Sequence, residues 1–377
     1  MKNTRQTIAA LAALATTATV LVGCAANEAP AEPPAADSPT TGAPTSAPVS
    51  PATLAGTLNG SGATSVQAAQ QAWVAAFQTA NPGVTVNYAP EGSGAGRSAF
   101  AAGAVAFAGS DRALKADELG AGKFAGCAPT SNALDLPVYI SPIAVVANVD
   151  GVTDLTLDPA TIAGIFAGKI ASWDDPAIKA TNAGASLPHA PITAVHRADD
   201  SGTTANFTDT LKALAPATWT WGSVSTWPDE LKGEAATGTS GMVASVSGGK
   251  NTIGYADASQ TKSLTQVAIL VGGTPTKPTA QGAAALVDQS PREPGRGPND
   301  LAIALDRTAA GVYPAALVSY IIVCETYQDP TQAGLVKAYV DYIGSNAGQQ
   351  AAATAAGSAP LSATMQAKVQ AAAATVK

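Results

Sequence analysis

The sequence is poor in charge and in the side chains that bind metals or nucleic acids. Only 12% of the 377 residues are charged and 5% are aromatic, and 27 acidic residues outweigh 20 basic ones, for a net charge of −7. Such an acidic chain lacks the basic surface that nucleic-acid binding requires, so we expect no nucleic-acid partner. Two histidines, His189 and His196, and three cysteines leave little material for a transition-metal site. We therefore expect no metal and no cofactor.

Long hydrophobic runs are also missing, and the one near the N-terminus has the form of an export signal. A positively charged start precedes an uncharged run over residues 8–22. That run is shorter than the roughly 20 residues of a transmembrane helix. It ends in Leu21-Val22-Gly23-Cys24, which resembles the lipobox of bacterial lipoproteins, where the cysteine is lipidated and begins the mature chain. We predict a signal peptide over residues 1–23 and lipidation of Cys24; the alternative is an ordinary signal peptide that happens to end at a cysteine.

The segment after the predicted cleavage point has the composition of a spacer. Residues 24–52 contain seven prolines and many alanines, serines and threonines, which predicts an extended, disordered tether. No lysine or arginine occurs between Arg5 and Arg97, so the tether has no basic attraction to anionic lipid. The acyl chains would have to hold the protein at the membrane.

The remaining cysteines form an even pair in a chain that the signal sends outside the cytoplasm. With Cys24 lipidated, Cys127 and Cys324 are left. In an oxidising compartment they are candidates for a disulfide. Two buried free thiols are the alternative.

From residue 54 onward, short apolar runs rich in β-branched residues alternate with helical patterns, which is typical of an α/β fold. A helical spacing begins at residue 66, and the alanine-rich tail over 338–377 is predicted to be largely helical with a break near 357–360. Segments 272–282 and 288–300 are rich in proline and glycine and are expected to be exposed loops. Further predicted elements are a helix at 161–166 and strands at 84–88, 105–108, 143–147, 192–195 and 317–323.

Three stretches of glycine and hydroxyl residues each precede a helical pattern. They are GSGATS at 60–65, EGSGAG at 91–96 and DDSGTT at 199–204. A helix N-terminus carries unpaired N–H groups and a partial positive charge, which favour an anion. One such stretch would be an ordinary helix cap. Three in one chain, the last of them preceded by Arg197, indicate a site for a tetrahedral oxyanion.

Asp111 follows the predicted strand at 105–108, where a negative charge looks out of place beside an anion. A buried carboxylate can accept the proton that inorganic phosphate carries near neutral pH. Sulfate carries no proton, so the same carboxylate would repel it. An ordinary turn carboxylate is the alternative reading of Asp111.

Together these motifs resemble those of the high-affinity phosphate-binding proteins of phosphate-specific ABC importers, in the lipid-anchored form of Gram-positive bacteria. The likeness covers residues 57–377. It implies an α/β periplasmic-binding-protein fold of type II, in which two lobes, each a mixed sheet flanked by helices, are joined by a hinge. One lobe would comprise residues 53–143 plus 258–377 and the other 144–257, with the hinge near 143–148 and 255–258.

The resemblance further implies that inorganic phosphate is held between the lobes by hydrogen bonds alone, without metal. Ser65 stands where relatives often carry phenylalanine, and we expect it to alter the cleft wall more than the chemistry. Asp200 stands where relatives often have glycine or serine, and adds a charge beside the site. Asp199 would orient Arg197. The ligands carried over by motif are Thr64, Ser65, Ser93, Asp111, Arg197, Ser201, Gly202 and Thr203.

The same likeness implies a monomeric transport protein that is not an enzyme. Its partners would be the transmembrane permease and the ATPase subunits of the importer. It would lie on the extracytoplasmic face of the cell membrane, in contact with lipid through its anchor alone.

Three other functions remain open at this point. A serine hydrolase or phosphatase is suggested by His196 near Ser201, but no Gly-x-Ser-x-Gly turn is present, and neither metal ligands nor an activated nucleophile stand out. A binding protein for sulfate or molybdate would share the anion motifs, although Asp111 disfavours fully deprotonated anions. A purely structural or adhesive lipoprotein would bind no small anion.

Overall fold

The computed structural model describes residues 54–377. The predicted signal peptide, Cys24 and nearly all of the predicted tether lie outside the described residues. Within residues 54–377, no helix combines the length and the apolar character needed to cross a membrane. The described chain is a mixed α/β protein, as the alternation of apolar runs and helical patterns predicts.

In the described part of the chain, twelve strands form two sheets. The strands are β1 (Gly56–Gly62), β2 (Val84–Ala89), β3 (Phe107–Ser110), β4 (Ala133–Asn148), β5 (Thr156–Leu157), β6 (Thr193–Arg197), β7 (Glu234–Ala236), β8 (Thr252–Asp257), β9 (Thr265–Gln266), β10 (Ala268–Val271), β11 (Thr274–Thr276) and β12 (Ala316–Cys324). The large sheet has the order β2-β1-β3-β12-β4-β8-β6-β7, with β9 also paired to β4, and the small sheet has the order β11-β10-β5.

Strand β4 joins the two halves of the large sheet. It pairs antiparallel with β12 up to Pro142 and with β8 from Ile143 onward. The predicted hinge segments, 143–148 and 255–258, therefore pair in part with each other, since residues 143–145 face residues 255–257 in the β4–β8 ladder. The division of the chain into two lobes stays a prediction.

Within residues 54–377, ten helices pack around the sheets, and most begin at a side-chain cap, among them α5, where Ser201 accepts the Thr204 N–H. A side-chain oxygen at such a cap satisfies one of the free N–H groups of the first turn. The helices are α1 (Gln67–Ala80), α2 (Ser93–Ala101), α3 (Pro159–Phe166), α4 (Pro176–Ala180), α5 (Gly202–Leu214), α6 (Gly238–Gly248), α7 (Ala280–Gln289), α8 (Pro330–Gly344), α9 (Asn346–Ala356) and α10 (Ala363–Ala374).

Two proline- and glycine-rich segments are more ordered than the sequence suggests. Segment 272–282 is not simply a loop, because it contains β11 and the start of α7. Segment 288–300 is not fully exposed, because the Arg296 side chain is only 5% exposed and reaches the buried Asp135 at 3.2 Å. This buried contact between Arg296 and Asp135 draws the loop against the core.

Cys127 and Cys324 form a disulfide, with their Cα atoms 5.4 Å apart. Cys324 is the last residue of β12, and Cys127 lies in the segment between β3 and β4. The bond therefore ties two parts of the chain that are separated by 197 positions in sequence.

Candidate functional site

The three glycine and hydroxyl stretches meet around the end of β3. The first stretch runs from the end of β1 toward α1, and the second forms the start of α2, which begins at Ser93, inside the stretch rather than after it. The third leads into α5, where Ser201 is the N-cap and its Oγ accepts a hydrogen bond from the Thr204 N–H at 3.2 Å. The first N–H groups of α5, those of Gly202 and Thr203, precede this capped amide.

The centre of the cluster is the carboxylate of Asp111, which is buried directly after β3. Ser65 Oγ donates to its Oδ1 at 2.7 Å and Thr203 Oγ1 donates to its Oδ2 at 2.9 Å. Ser319 Oγ, from β12, also donates to Oδ1. Hydroxyls from three separate parts of the chain thus fix the orientation of one carboxylate.

Ser93 and Gly202 lie against the same residue. The Asp111 N–H donates to Ser93 Oγ at 3.2 Å. A Cβ atom added at Gly202 would lie 2.6 Å from Ser93 Oγ and 2.8 Å from Asp111 Cβ. A residue without a side chain is therefore required there for α5 to approach the end of β3. Asn206 Nδ2 holds that approach by donating to the backbone oxygens of Asp111 at 2.5 Å and Gly202 at 3.0 Å.

Arg197, at the end of β6, is buried and held by Asp199. Its Nε donates to Asp199 Oδ1 at 2.7 Å, and its Nη2 donates to Oδ2. Burial by itself would raise the pKa of Asp199, but the Arg197 guanidinium and the Gly238 N–H hold it below its ordinary value. Within residues 54–377, Nη1 of Arg197 makes no hydrogen bond. Nη1 is therefore the guanidinium nitrogen that could donate to a further acceptor.

Thr64 is the point where the first stretch touches α6. Its Oγ1 lies 2.8 Å from Thr239 Oγ1 and accepts the Thr239 N–H at 3.0 Å. Asp199 also accepts the neighbouring Gly238 N–H at 3.1 Å, which links Thr64 to the Arg197 pair through the start of α6. All the residues predicted from the motifs are therefore brought to one place.

Sequence reasoning missed Ser319, Asn206 and Thr239. Each carried a signal, although a weak one. Ser319 is the one serine in the apolar run of β12, and Thr239 belongs to a fourth glycine and hydroxyl stretch, TGTS at 237–240, that opens α6. Asn206 lies one helical turn after Gly202, on the face of α5 that meets Asp111.

The expectation for Ser65 is corrected by the structure. Its side chain is more than part of a wall, because its hydroxyl donates directly to Asp111. Phenylalanine, common at this position in the resembling family, has no such donor. The Ser65 side chain is thus one of the donors that orient the Asp111 carboxylate.

His196 is turned away from Ser201. Its ring stacks on Trp227 with 4.9 Å between the ring centres, and its Nδ1 donates to the Arg197 carbonyl oxygen at 3.0 Å. Ser201 Oγ is engaged by the Thr204 N–H. A hydrolase would need the serine and histidine within hydrogen-bond reach of each other, and this arrangement gives no support to that function.

Tyr255 is buried and contacts both α5 and the end of β6. Its hydroxyl lies 2.8 Å from Thr204 Oγ1 and accepts the Arg197 N–H at 3.3 Å, and its ring stacks on Phe207 at 4.1 Å. Burial raises the pKa of Tyr255 to about 12, so it stays neutral. In the part of the chain described, no group of three or more His, Cys, Asp or Glu side chains is arranged to hold a metal ion.

Comparisons with known proteins show which family this chain belongs to. The family model described as a PBP superfamily domain matches residues 47–347. The phosphate-binding protein PstS 3 of Mycobacterium leprae is 36% identical, with 88% of this chain and 89% of that protein covered. The phosphate-binding protein PstS 3 of Mycobacterium tuberculosis is 37% identical, with 75% and 77% covered.

Solved structures are similar in fold. A high-affinity periplasmic phosphate-binding protein, PfluDING, solved with phosphate bound, matches with a TM-score of 0.68 and 24% identity, covering 83% of this chain and 93% of that one. A phosphate-binding protein from Stenotrophomonas maltophilia matches with a TM-score of 0.63 and 21% identity, covering 84% and 94%.

Proposed function

This chain belongs to the PBP superfamily and, within it, to the PstS phosphate-binding proteins, and on that basis we propose that it captures inorganic phosphate outside the cytoplasm for an ABC importer. The observation that carries the proposal is the cluster around Asp111, in which one buried carboxylate stands among hydroxyls, helix N-termini and a buried arginine. The permease and ATPase subunits of the importer are its proposed partners.

The proposed ligands divide by the kind of hydrogen bond that they offer. Arg197 supplies the positive charge, and Asp199 aligns its guanidinium by holding Nε and Nη2. Hydroxyl and backbone N–H groups supply the remaining donors, because helix N-termini present unpaired amides to an anion. These donors are Thr64, Ser65, Ser93, Ser201, Gly202 and Thr203.

Asp111 is the proposed acceptor for the phosphate proton. Three hydroxyls already donate to it, so it offers the remaining lone pairs of an oriented carboxylate. A protonated phosphate oxygen can donate to it, whereas sulfate would place two unshared negative charges against each other. In a buried site such an unpaired charge costs several kcal/mol, enough to exclude sulfate.

Binding is proposed to close two lobes over the anion. Thr64, Ser93 and Asp111 would come from the lobe of residues 53–143 plus 258–377, and Arg197 and Ser201 from the lobe of residues 144–257. The change of partner in β4 between Pro142 and Ile143 supports a hinge there. Opening at the hinge would release the ligand.

The protein is proposed to act by binding alone and to be anchored through lipid on Cys24. His196 stacks on Trp227 instead of facing Ser201, which supports a role without catalysis. Anchoring supports the proposed partnership, because a tethered binding protein stays close to its permease.

Isothermal titration calorimetry of the full chain with phosphate, arsenate and sulfate tests the proposal. We expect binding of phosphate, weaker or similar binding of arsenate, and none of sulfate. Arg197→Ala should weaken phosphate binding at least about 30-fold, since truncating a buried charged partner costs about 2–5 kcal/mol. Arg292→Ala, at an exposed arginine in the loop after α7, is the matched control. Failure of the unaltered chain to bind phosphate would overturn the proposal.

A further inference from the structure

A second buried guanidinium lies beside the site and takes no part in the proposed phosphate contacts. Arg97, in α2, has a side chain only 5% exposed. Its Nη1 donates to Ser110 Oγ at 2.9 Å, and its Nη2 donates to the two carboxylate oxygens of Asp200 at 3.1 and 3.2 Å. Asp200 directly precedes Ser201, the cap of α5. The ion pair therefore joins the middle of α2 to the segment just before α5.

The charges around Arg97 balance only when Asp200 is in place. Arg97 Nε lies 3.7 Å from Glu118, but Arg112 already binds both oxygens of that carboxylate at 2.6 and 2.8 Å. Two guanidinium groups thus share Glu118, and Asp200 supplies the second negative charge. Burial, together with the neighbouring Arg112, lowers the pKa of Arg97, whereas Asp200 raises it. Removing Asp200 from this contact would leave a buried cation without its partner.

The backbones of the same two segments are also in contact. The Gly94 N–H donates to the Asp200 carbonyl oxygen at 3.0 Å. A Cβ atom added at Gly94 would lie 2.4 Å from both Cβ and Cγ of Asp200. Glycine at 94 therefore admits the facing segment, which gives the glycines of this stretch a purpose other than approach to the anion.

We propose that the contact of Gly94 and Arg97 with Asp200 keeps the phosphate site closed. We call this closing contact the latch. The inference rests on the proposed function, because it requires phosphate between the two segments. Ser93 is the chain neighbour of Gly94, and Ser201 is the chain neighbour of Asp200. The two proposed phosphate ligands can separate only if the closing contact separates as well. Its free energy therefore adds to phosphate affinity and slows release.

The charged half of the latch is tested with Asp200→Asn, Arg97→Gln and the double variant. We expect each single variant to weaken phosphate affinity about 5- to 20-fold, mostly through faster release of labelled phosphate. This range is modest because Asp200 is half-exposed. The double variant should be no weaker than the more affected single variant, since both remove one interaction. Asp154→Asn, which removes a carboxylate from an exposed ion pair with Lys277, controls for net charge.

The steric half is tested with Gly94→Ala. Alanine favours a helix over glycine, so the melting temperature of the phosphate-free protein should stay the same or rise. The added methyl group should nevertheless weaken phosphate affinity, because it blocks the approach of Asp200. Gly334→Ala, in α8, is the matched control, since a Cβ there meets nothing within 4 Å. It should leave phosphate affinity unchanged.

The outcomes separate the latch from the function that it serves. Failure of the unaltered chain to bind phosphate would overturn the proposed function. If the unaltered chain binds phosphate but the Asp200, Arg97 and Gly94 variants bind and release it at unaltered rates, the latch is wrong. A fall in the melting temperature of the phosphate-free variants that accounts for their lost affinity would likewise overturn it, since a latch acts only in the closed state.

Discussion

Asp111 is the residue at which the selectivity of the proposed site is best tested. Asparagine has nearly the same shape but no charge, and its amide can donate to an anion that has no proton. We expect Asp111→Asn to weaken phosphate binding and to admit sulfate, so that the preference for phosphate over sulfate falls at least about tenfold. Competition calorimetry with both anions measures this preference.

Asp288→Asn, at an exposed carboxylate in α7, is the control for that substitution. It changes the net charge equally and should leave the preference for phosphate intact. Undiminished exclusion of sulfate by Asp111→Asn would show that selectivity arises elsewhere in the cleft.

Asp135 should make the stability of the protein depend on pH. It is fully buried, and it shares the Arg296 guanidinium with Asp300 and Glu293. Burial, reinforced by the charge of Asp300, raises the pKa of Asp135 to about 8. The unfolded chain releases this proton near pH 4. Between about pH 4 and 8 the folded state holds a proton that the unfolded state lacks, so stability falls as the pH rises through this range.

Asp135→Asn removes that titration and keeps an oxygen to accept the Leu114 N–H, which Asp135 binds at 3.1 Å. The difference in the free energy of unfolding, variant minus unaltered chain, should be at least about 1 kcal/mol more favourable to the variant at pH 8.5 than at pH 5. Urea unfolding at a series of pH values measures the difference. A constant offset between the two proteins at every pH would contradict the assignment.

For individual residues, the sequence predicts which side chains lie close together, but not the hydrogen bonds that they make with one another. Ser65, Ser93, Asp111 and Thr203 were singled out because glycine and hydroxyl stretches precede helices, and the structure brings them together. Their role as phosphate ligands stays a proposal. Ser319 was missed because a single polar residue in an apolar strand has no local pattern that marks it as a partner of a distant carboxylate.

Among the elements, strands were predicted where an apolar run is uninterrupted. Strand β12 matches the predicted run at 317–323 closely, since its nine residues are all buried. Strand β4 was predicted only from residue 143, although it begins at Ala133. Pro137 and Pro142 interrupt its first half, and proline cannot donate to a sheet ladder. Pairing with β12, which lies far along the chain, nevertheless holds that half in the sheet.

The disulfide links elements within one of the proposed lobes, so its removal should affect stability rather than binding. A double variant, Cys127→Ser with Cys324→Ser, should lower the free energy of unfolding by about 2–5 kcal/mol. The long separation of the two cysteines makes the unfolded chain gain much freedom when the bond is lost. Phosphate affinity should change less than about twofold, because neither cysteine touches Asp111 or Arg197. Urea unfolding and calorimetry check the two expectations.

The single variants serve as controls for that experiment, since each should be about as destabilised as the double variant. If the double variant loses phosphate affinity under conditions where it is fully folded, the expectation that the disulfide affects stability but not binding is wrong. It would mean that the end of β12 is coupled to the site through Ser319.

For the molecule as a whole, composition and alternation predict the α/β class, but not the order of strands. Strand β12, near the end of the chain, lies between β3 and β4. No local pattern encodes such an insertion, because it depends on which distant strands bury each other. The two-lobe fold came from the resemblance, and the exposure of loops such as 288–300 was misjudged because Arg296 has its partner Asp135 about 160 residues away.

The overall charge also leads to a prediction about salt. A protein of net charge −7 repels phosphate at long range, so its affinity must come from short-range contacts in the buried site. Salt screens exposed charges beyond about 10 Å at 0.1 M, but acts little on a buried guanidinium such as that of Arg197. Raising sodium chloride from 0.05 to 0.5 M should therefore change the dissociation constant of phosphate less than about threefold.

We attribute the small remaining effect of salt on the phosphate dissociation constant to the closing contact between Arg97 and Asp200. Because Asp200 is half-exposed, its pair with Arg97 should weaken somewhat in salt, whereas Asp200→Asn has no pair to lose. Calorimetry across the salt series should give a flatter response for Asp200→Asn than for the unaltered chain. A tenfold or greater loss of affinity in both proteins would instead mean that a long-range positive field draws phosphate to the site, against the buried hydrogen-bonding arrangement around Asp111.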